Sequence, residues 1–263
     1  MIREDGSGLA RVTREGSHNE SPSWSPDGGR IAFVRGDGKV GEIWSMKADG
    51  SRQRRLTRTG LRDQQPAWSP DARRIVFVRR ESETRSRIFL IGAGGGGLRP
   101  LTNEPGDYRH PTWSPDGRSI AFAYTRDPRG GRFGIYVVAA GGGRARELSR
   151  NPRRDYLDPA WSPDGHRIAF AFLVPAGKGY SAHLEVMDAD GRNQHAVLKA
   201  PRNTVYFAPS WSPDAREIAF VSLSSRLGQG RIGFVRSDGK GLRILTYILS
   251  DNRTPAWRPR TGK

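Results

Sequence analysis

Nearly the same phrase recurs six times along this chain. It reads SPSWSPDGGRIAFVR at 21–35, QPAWSPDARRIVFVRR at 65–80, HPTWSPDGRSIAFAY at 110–124, DPAWSPDGHRIAFAF at 158–172, APSWSPDAREIAFVS at 208–222 and, shortened, TPAWRPRTGK at 254–263. Its tryptophans, Trp24, Trp68, Trp113, Trp161, Trp211 and Trp257, lie 44, 45, 48, 50 and 46 residues apart. A period of about 40–50 residues, made of short apolar runs and Gly/Pro/Asp turns, is what four-stranded propeller blades produce. The 263 residues suffice for one all-β domain of this kind, so a single β-propeller domain over 1–263 is expected. Such a fold hosts many unrelated activities, and function must be sought in particular side chains.

Within one period, Ser21-Pro22-Ser23-Trp24 opens an innermost strand. Ser25-Pro26-Asp27-Gly28 then fits a type I turn, with Ser first, Pro fixing φ at the second place and Gly fourth. Ala72 and Ala215 take the fourth place in two copies, which such a turn tolerates. The second strand, Ile31-Ala32-Phe33-Val34, is apolar on both faces and is expected between neighbouring blades. A third strand over Ile43-Trp44-Ser45-Met46 and an Asp49-Gly50 hairpin lead to an outer strand ending at Leu56-Thr57. The repeated tryptophan reads as a packing knob between blades. Residues 2–13 align with the close of a blade and 254–263 with the start of one. Together they predict a sixth, incomplete blade built from both termini, with five blades as the alternative; a ring closed in this way hides its sheet edges.

The phrase x-P-x-W-S-P-D-G-x-x-I-A-F, followed about thirty residues after its Trp by a D-G hairpin and L-T, resembles the TolB-type, WD-repeat-like propeller repeat of bacterial periplasmic and cell-envelope proteins. The resemblance covers nearly the whole chain. A rigid scaffold with variable loops and no catalytic constellation points to a non-enzymatic, monomeric module that binds a protein or peptide partner. The resemblance implies a periplasmic or extracellular location, provided a signal peptide has been removed. The same blades cap prolyl oligopeptidase-like enzymes, so a cap separated from its hydrolase is the alternative reading.

Residues 1–20 lack the apolar core of a signal peptide, and no apolar run approaches the roughly 18–20 residues of a membrane span. The absence of cysteine excludes disulfides, thiolate zinc sites and cysteine nucleophiles. Gly92–Gly97 satisfies G-x-G-x-x-G but falls in the hairpin register rather than between a strand and a helix. Asp188-Ala189-Asp190-Gly191 suggests a calcium loop, yet Lys199 stands where the twelfth-position Glu belongs. No G-x-S-x-G elbow and no H-E-x-x-H exist. No cofactor, metal site or catalytic residue is therefore expected. The net charge of +17 comes from 38 Arg and 6 Lys, 24 of them before residue 133 and 20 after. A nucleic-acid binder concentrates its charge on one face, so an even spread disfavours that partner and leaves it as a second alternative.

Informative positions are those where the repeats disagree. The residues just before each repeated proline read His18-Asn19-Glu20-Ser21, Arg62-Asp63-Gln64-Gln65, Asp107-Tyr108-Arg109-His110, Asp155-Tyr156-Leu157-Asp158, Val205-Tyr206-Phe207-Ala208 and Asp251-Asn252-Arg253-Thr254. In a propeller these stretches line the mouth of the central channel, where loops vary on a constant scaffold. The candidate ligand-binding residues are His18, Glu20, Asp63, Tyr108, His110, Asp155, Tyr156, Asp158, Tyr206 and Arg253. If they bind, their carboxylates hold the ligand. Asn in place of Asp155 and Asp158 is then expected to weaken binding and to leave stability within about 0.5 kcal/mol.

Overall fold

The structure, a computed structural model, describes residues 12–13, 18–149, 151, 153–176, 179–224 and 230–245. Every regular element among them is a strand, and no helix there is long and apolar enough to cross a membrane. The strands group into five blades of four. Blade one holds β1 (His18–Trp24), β2 (Arg30–Gly36), β3 (Gly41–Lys47) and β4 (Arg54–Arg55). Blade two holds β5 (Arg62–Trp68), β6 (Arg74–Arg80), β7 (Ser86–Gly92) and β8 (Arg99–Pro100). Blade three holds β9 (Asp107–Trp113), β10 (Ser119–Thr125), β11 (Gly134–Ala139) and β12 (Arg146–Glu147). Blade four holds β13 (Tyr156–Trp161), β14 (Arg167–Ala176), β15 (Gly179–Asp188) and β16 (His195–Leu198). Blade five holds β17 (Thr204–Trp211), β18 (Glu217–Ser224), β19 (Gly230–Arg236) and β20 (Arg243–Ile244). Pairing within each blade is antiparallel, and single parallel bridges join β3 to β5 and β15 to β17. The expected sixth blade, with Trp257 and Arg253, lies outside the described residues.

The second strands are buried on both faces because they sit between blades. In β6, Ile75 and Phe77 pack toward blade one, while Val76 packs toward blade three. Comparable apolar clusters fill the seams between blades three and four and between four and five. Trp68, Trp113, Trp161 and Trp211 lie in or beside these seams. The Trp113 and Trp211 indole N–H groups donate across a seam to the carbonyls of Ala67 and Ala160, at 3.2 and 3.0 Å. Arg74 and Arg167 stack over the same two rings at 4.9 and 4.7 Å.

A five-fold repeated network explains the Ser-Pro-Asp phrase. In blade one the Ser25 hydroxyl donates to Asp27 at 2.5 Å and accepts the Arg30 N–H at 2.8 Å, while the Gly29 N–H donates to Asp27 at 3.0 Å. Ser69, Ser114, Ser162 and Ser212 repeat the hydroxyl bond to Asp71, Asp116, Asp164 and Asp214. The fourth turn residue is left-handed in every copy, with φ between 62 and 75° at Gly28, Gly117 and Gly165. Ala72 and Ala215 adopt it too, at φ 56 and 57°, so the turn accepts them under strain rather than freely.

Candidate functional site

The innermost strands begin earlier than expected: β1 starts at His18, not Ser21. The varied residues before each proline are thus the first part of a strand, and the alternation of faces decides where each points. A bulge interrupts that alternation in all five blades, between Glu20 and Ser23, Gln64 and Ala67, Arg109 and Thr112, Leu157 and Ala160, and Phe207 and Ser210. At each bulge the residue before the proline is left-handed: Ser21 at φ 53°, Gln65 at 56°, His110 at 51°, Asp158 at 53° and Ala208 at 50°. No glycine occupies this place, and a left-handed non-glycine residue costs about 1–3 kcal/mol unless its surroundings hold it.

All five of these residues line one cavity of ≈ 420 Å³. Its polar wall comes from blades one to four, through Glu20, Ser21, Gln65, His110 and Asp158. The apolar wall comes from blades four and five, with Leu157, Leu173, Val205 and Phe207 as its larger side chains. The volume falls within the range of about 300–1,000 Å³ usual for small-ligand sites.

A relay crosses the polar wall from blade to blade. Gln65 Oε1 accepts the His110 backbone N–H at 2.9 Å. His110 Nδ1 sits 2.6 Å from Asp158 Oδ1, and the other Asp158 oxygen accepts the Ala208 N–H at 2.8 Å. The His110–Asp158 contact is close enough for charge attraction, but the ring N–H is not aligned on the oxygen as a hydrogen bond requires. Burial pushes the Asp158 carboxyl up; the adjoining His110 ring, the Ala208 N–H and Arg109 outweigh it and hold the group below its ordinary value. Since Nδ1 is buried, the exposed third of the His110 side chain leaves Nε2 as the ring nitrogen open to a ligand.

The expected rim residues separate into three groups. Glu20, His110 and Asp158 reach the cavity, although both Asp158 oxygens are already engaged. Tyr108, Tyr156 and Tyr206 occupy the strand position that faces the interblade core, where burial and neighbouring rings claim them. Tyr108 lies 4.5 Å from the Tyr124 ring, Tyr156 lies 5.0 Å from Phe172, and Tyr206 lies 5.0 Å from Phe220. Burial, before any charge effect, raises the Tyr108 and Tyr206 hydroxyl pKa values, so they remain protonated core groups. Asp63 is wholly buried and grips Arg79 through two bonds of 2.7 and 2.9 Å. Asp155 accepts from Arg132 at 2.7 Å and from the Phe133 N–H at 3.0 Å, which ties blade four to the preceding loop. His18 is exposed beside Glu20, with 3.5 Å between the ring nitrogen and the carboxylate. Among the described residues, the carboxylates that line the cavity are those of Glu20 and Asp158, and Glu20 also lies 3.9 Å from the Arg62 guanidinium. Ser21, Gln65, Ala208 and the apolar wall were not singled out from sequence. The repeated proline was the available signal, because the residue before it marks the bulge.

Residues 1–86 and 64–174 match the family model described as the TolB beta propeller domain. No curated protein matches the chain. Among solved structures, TolB from Acinetobacter baumannii is 23% identical, with a TM-score of 0.81 over 98% of this chain and 62% of that one. The chain thus spans 62% of the length of that relative. A protein designated TolB from Agrobacterium tumefaciens is 22% identical, with a TM-score of 0.77 over 94% of this chain and 88% of that one. A prolyl endopeptidase structure is 14% identical, with a TM-score of 0.59 over 90% of this chain and 37% of that one.

Proposed function

We propose a function on the premise that the family match establishes: the chain belongs to the TolB β-propeller domain family. In this reading residues 1–263 form a single propeller that binds a protein or peptide in the bacterial cell envelope and catalyses nothing. The observation that carries it is the two-walled cavity at the channel mouth, polar on blades one to four and apolar on blades four and five. A peptide needs both: apolar walls for a side chain, and groups such as His110 Nε2 and Glu20 for its backbone or charges. Five of the ten left-handed non-glycine residues described line this cavity, which suits a preformed rather than an adaptive site.

The test is retention of a defined protein or peptide from an envelope extract by the immobilised chain. A His110→Ala, Leu173→Asp variant that melts like the wild type should lose that retention. Equal retention by both forms would show that the cavity is not the binding site. The likeness to a prolyl endopeptidase favours one further reading, a substrate-filtering cap. A G-x-S-x-G domain encoded downstream in the same gene would support the cap over the adaptor.

A further inference from the structure

The end of the propeller away from the channel mouth carries a pattern that the cavity does not use. Each Ser-Pro-Asp turn places a residue two positions after its aspartate: Gly29, Arg73, Arg118, His166 and Arg216. In every blade the carbonyl of this residue accepts an N–H from the hairpin between the third and fourth strands. The donors are Ala48, Ala93, Ala140, Ala189 and Ser237, at 2.8 or 2.9 Å. Turn and hairpin are thereby locked side by side. A second position, the first residue of each outer strand, holds Arg54, Arg99, Arg146, His195 and Arg243, all exposed.

Successive turns also adjoin one another. A Cβ on Gly117 would lie 3.7 Å from Pro70, one on Gly165 would lie 3.8 Å from Pro115, and Arg167 reaches the Ala215 carbonyl at 3.4 Å. The result is two concentric arcs of basic side chains, arginine wherever a cation occurs except in blade four, which has histidine in both. Arg73, Arg118 and Arg216 make no side-chain hydrogen bond or ion pair within the described residues. The turn aspartates, held in their own turns by serine and backbone donors, lie beside these guanidiniums as exposed anions. In the outer arc Arg243 is paired with Glu217 at 2.8 Å, so the free cations are chiefly Arg73, Arg118 and Arg216. Leu98 and Leu242, directly before Arg99 and Arg243, are 42% and 46% exposed.

We propose that this face docks peripherally on an anionic lipid bilayer, with Leu98 and Leu242 entering the interface and the arginines meeting lipid phosphates. Charge alone fits any polyanion. The exposed leucine beside a guanidinium selects the bilayer, because only a lipid surface offers an apolar layer beneath its phosphates.

Co-sedimentation of the full chain with phosphatidylcholine/phosphatidylglycerol vesicles tests it, with phosphatidylcholine vesicles alone as the blank. Binding to the anionic vesicles is expected, and replacing Arg73, Arg118 and Arg216 together with Ser should lower the partition coefficient about a hundredfold, at about fivefold per charge. The channel end is basic as well, so Arg58, Arg129 and Arg153→Ser serves as the matched control and should bind like the wild type. Leu98→Ser with Leu242→Ser should weaken vesicle binding and leave retention on double-stranded DNA unchanged. Melting curves confirm that each variant is folded. No binding to anionic vesicles, equal loss in both arginine triples, or leucine variants that bind like the wild type would each overturn the proposal.

Discussion

Replacing Asp158 should show whether its carboxylate caps the backbone of the neighbouring blade at Ala208. Read as a solvated loop carboxylate, its replacement should hardly move stability. The structure instead has one oxygen accepting the Ala208 N–H at 2.8 Å, the other 2.6 Å from His110, and the backbone left-handed at φ 53°. Asp158→Ala strands the Ala208 N–H, at about 1–3 kcal/mol, and puts a residue less tolerant of that φ in place. The sum is about 3 kcal/mol. Asp158→Asn keeps an acceptor for Ala208 and suits the left-handed backbone, losing only the charge beside His110, at about 1 kcal/mol. At about 2–4 °C per kcal/mol for a large domain, the alanine variant should melt about 6–12 °C below the wild type and the asparagine variant about 2–4 °C below. Thermal unfolding followed by circular dichroism at neutral pH reads both. An alanine variant melting within about 1 °C of the wild type would refute the capping role. Equal loss in the two variants would place the stabilisation in the His110 contact instead of the backbone bond.

Three further outcomes are expected. Asp63→Asn leaves the buried Arg79 guanidinium, stacked 4.4 Å over Phe89, without its counter-charge, and should cost about 3–5 kcal/mol by chemical denaturation; adding Arg79→Met should recover most of that loss. Ala72→Gly and Ala215→Gly relieve two left-handed alanines and should each raise stability by up to about 1 kcal/mol, while unchanged or lower melting points would deny the strain. Asp27, Asp71, Asp116 and Asp214 are held below their ordinary 3.8, chiefly by the neighbouring serine hydroxyl; in Asp164 burial pushes up but the serine and backbone bonds prevail. A carboxyl lowered in the folded state stabilises above its unfolded value and loses that contribution as pH falls through the folded one. The melting temperature should therefore fall once pH drops below about 4, and serine-to-alanine changes in these turns should flatten that acid limb.

What could be read from the sequence was whatever the repeat imposes in each copy. Turn, tryptophan and doubly buried second strand recur because each blade must present the same faces to its neighbours, so the period alone disclosed them. The cavity depends on a one-residue irregularity instead. The stretch from Asp107 to His110 looked like a uniform polar rim, but a strand running through it sends Tyr108 into the seam and a bulge turns His110 inward. Partner identity across blades was equally hidden. Tyr108 meets Tyr124 in blade three, whereas the same pair of positions in blade two is Asp63 with Arg79, and in blade one Asn19 with Arg35. One pair of facing strand positions thus holds two rings in blades three and four and ions or amides in blades one and two, because either filling satisfies the buried seam. Charge in this slot therefore signals interblade packing, and the groups available to a ligand are found one or two residues later, at the bulge before the proline.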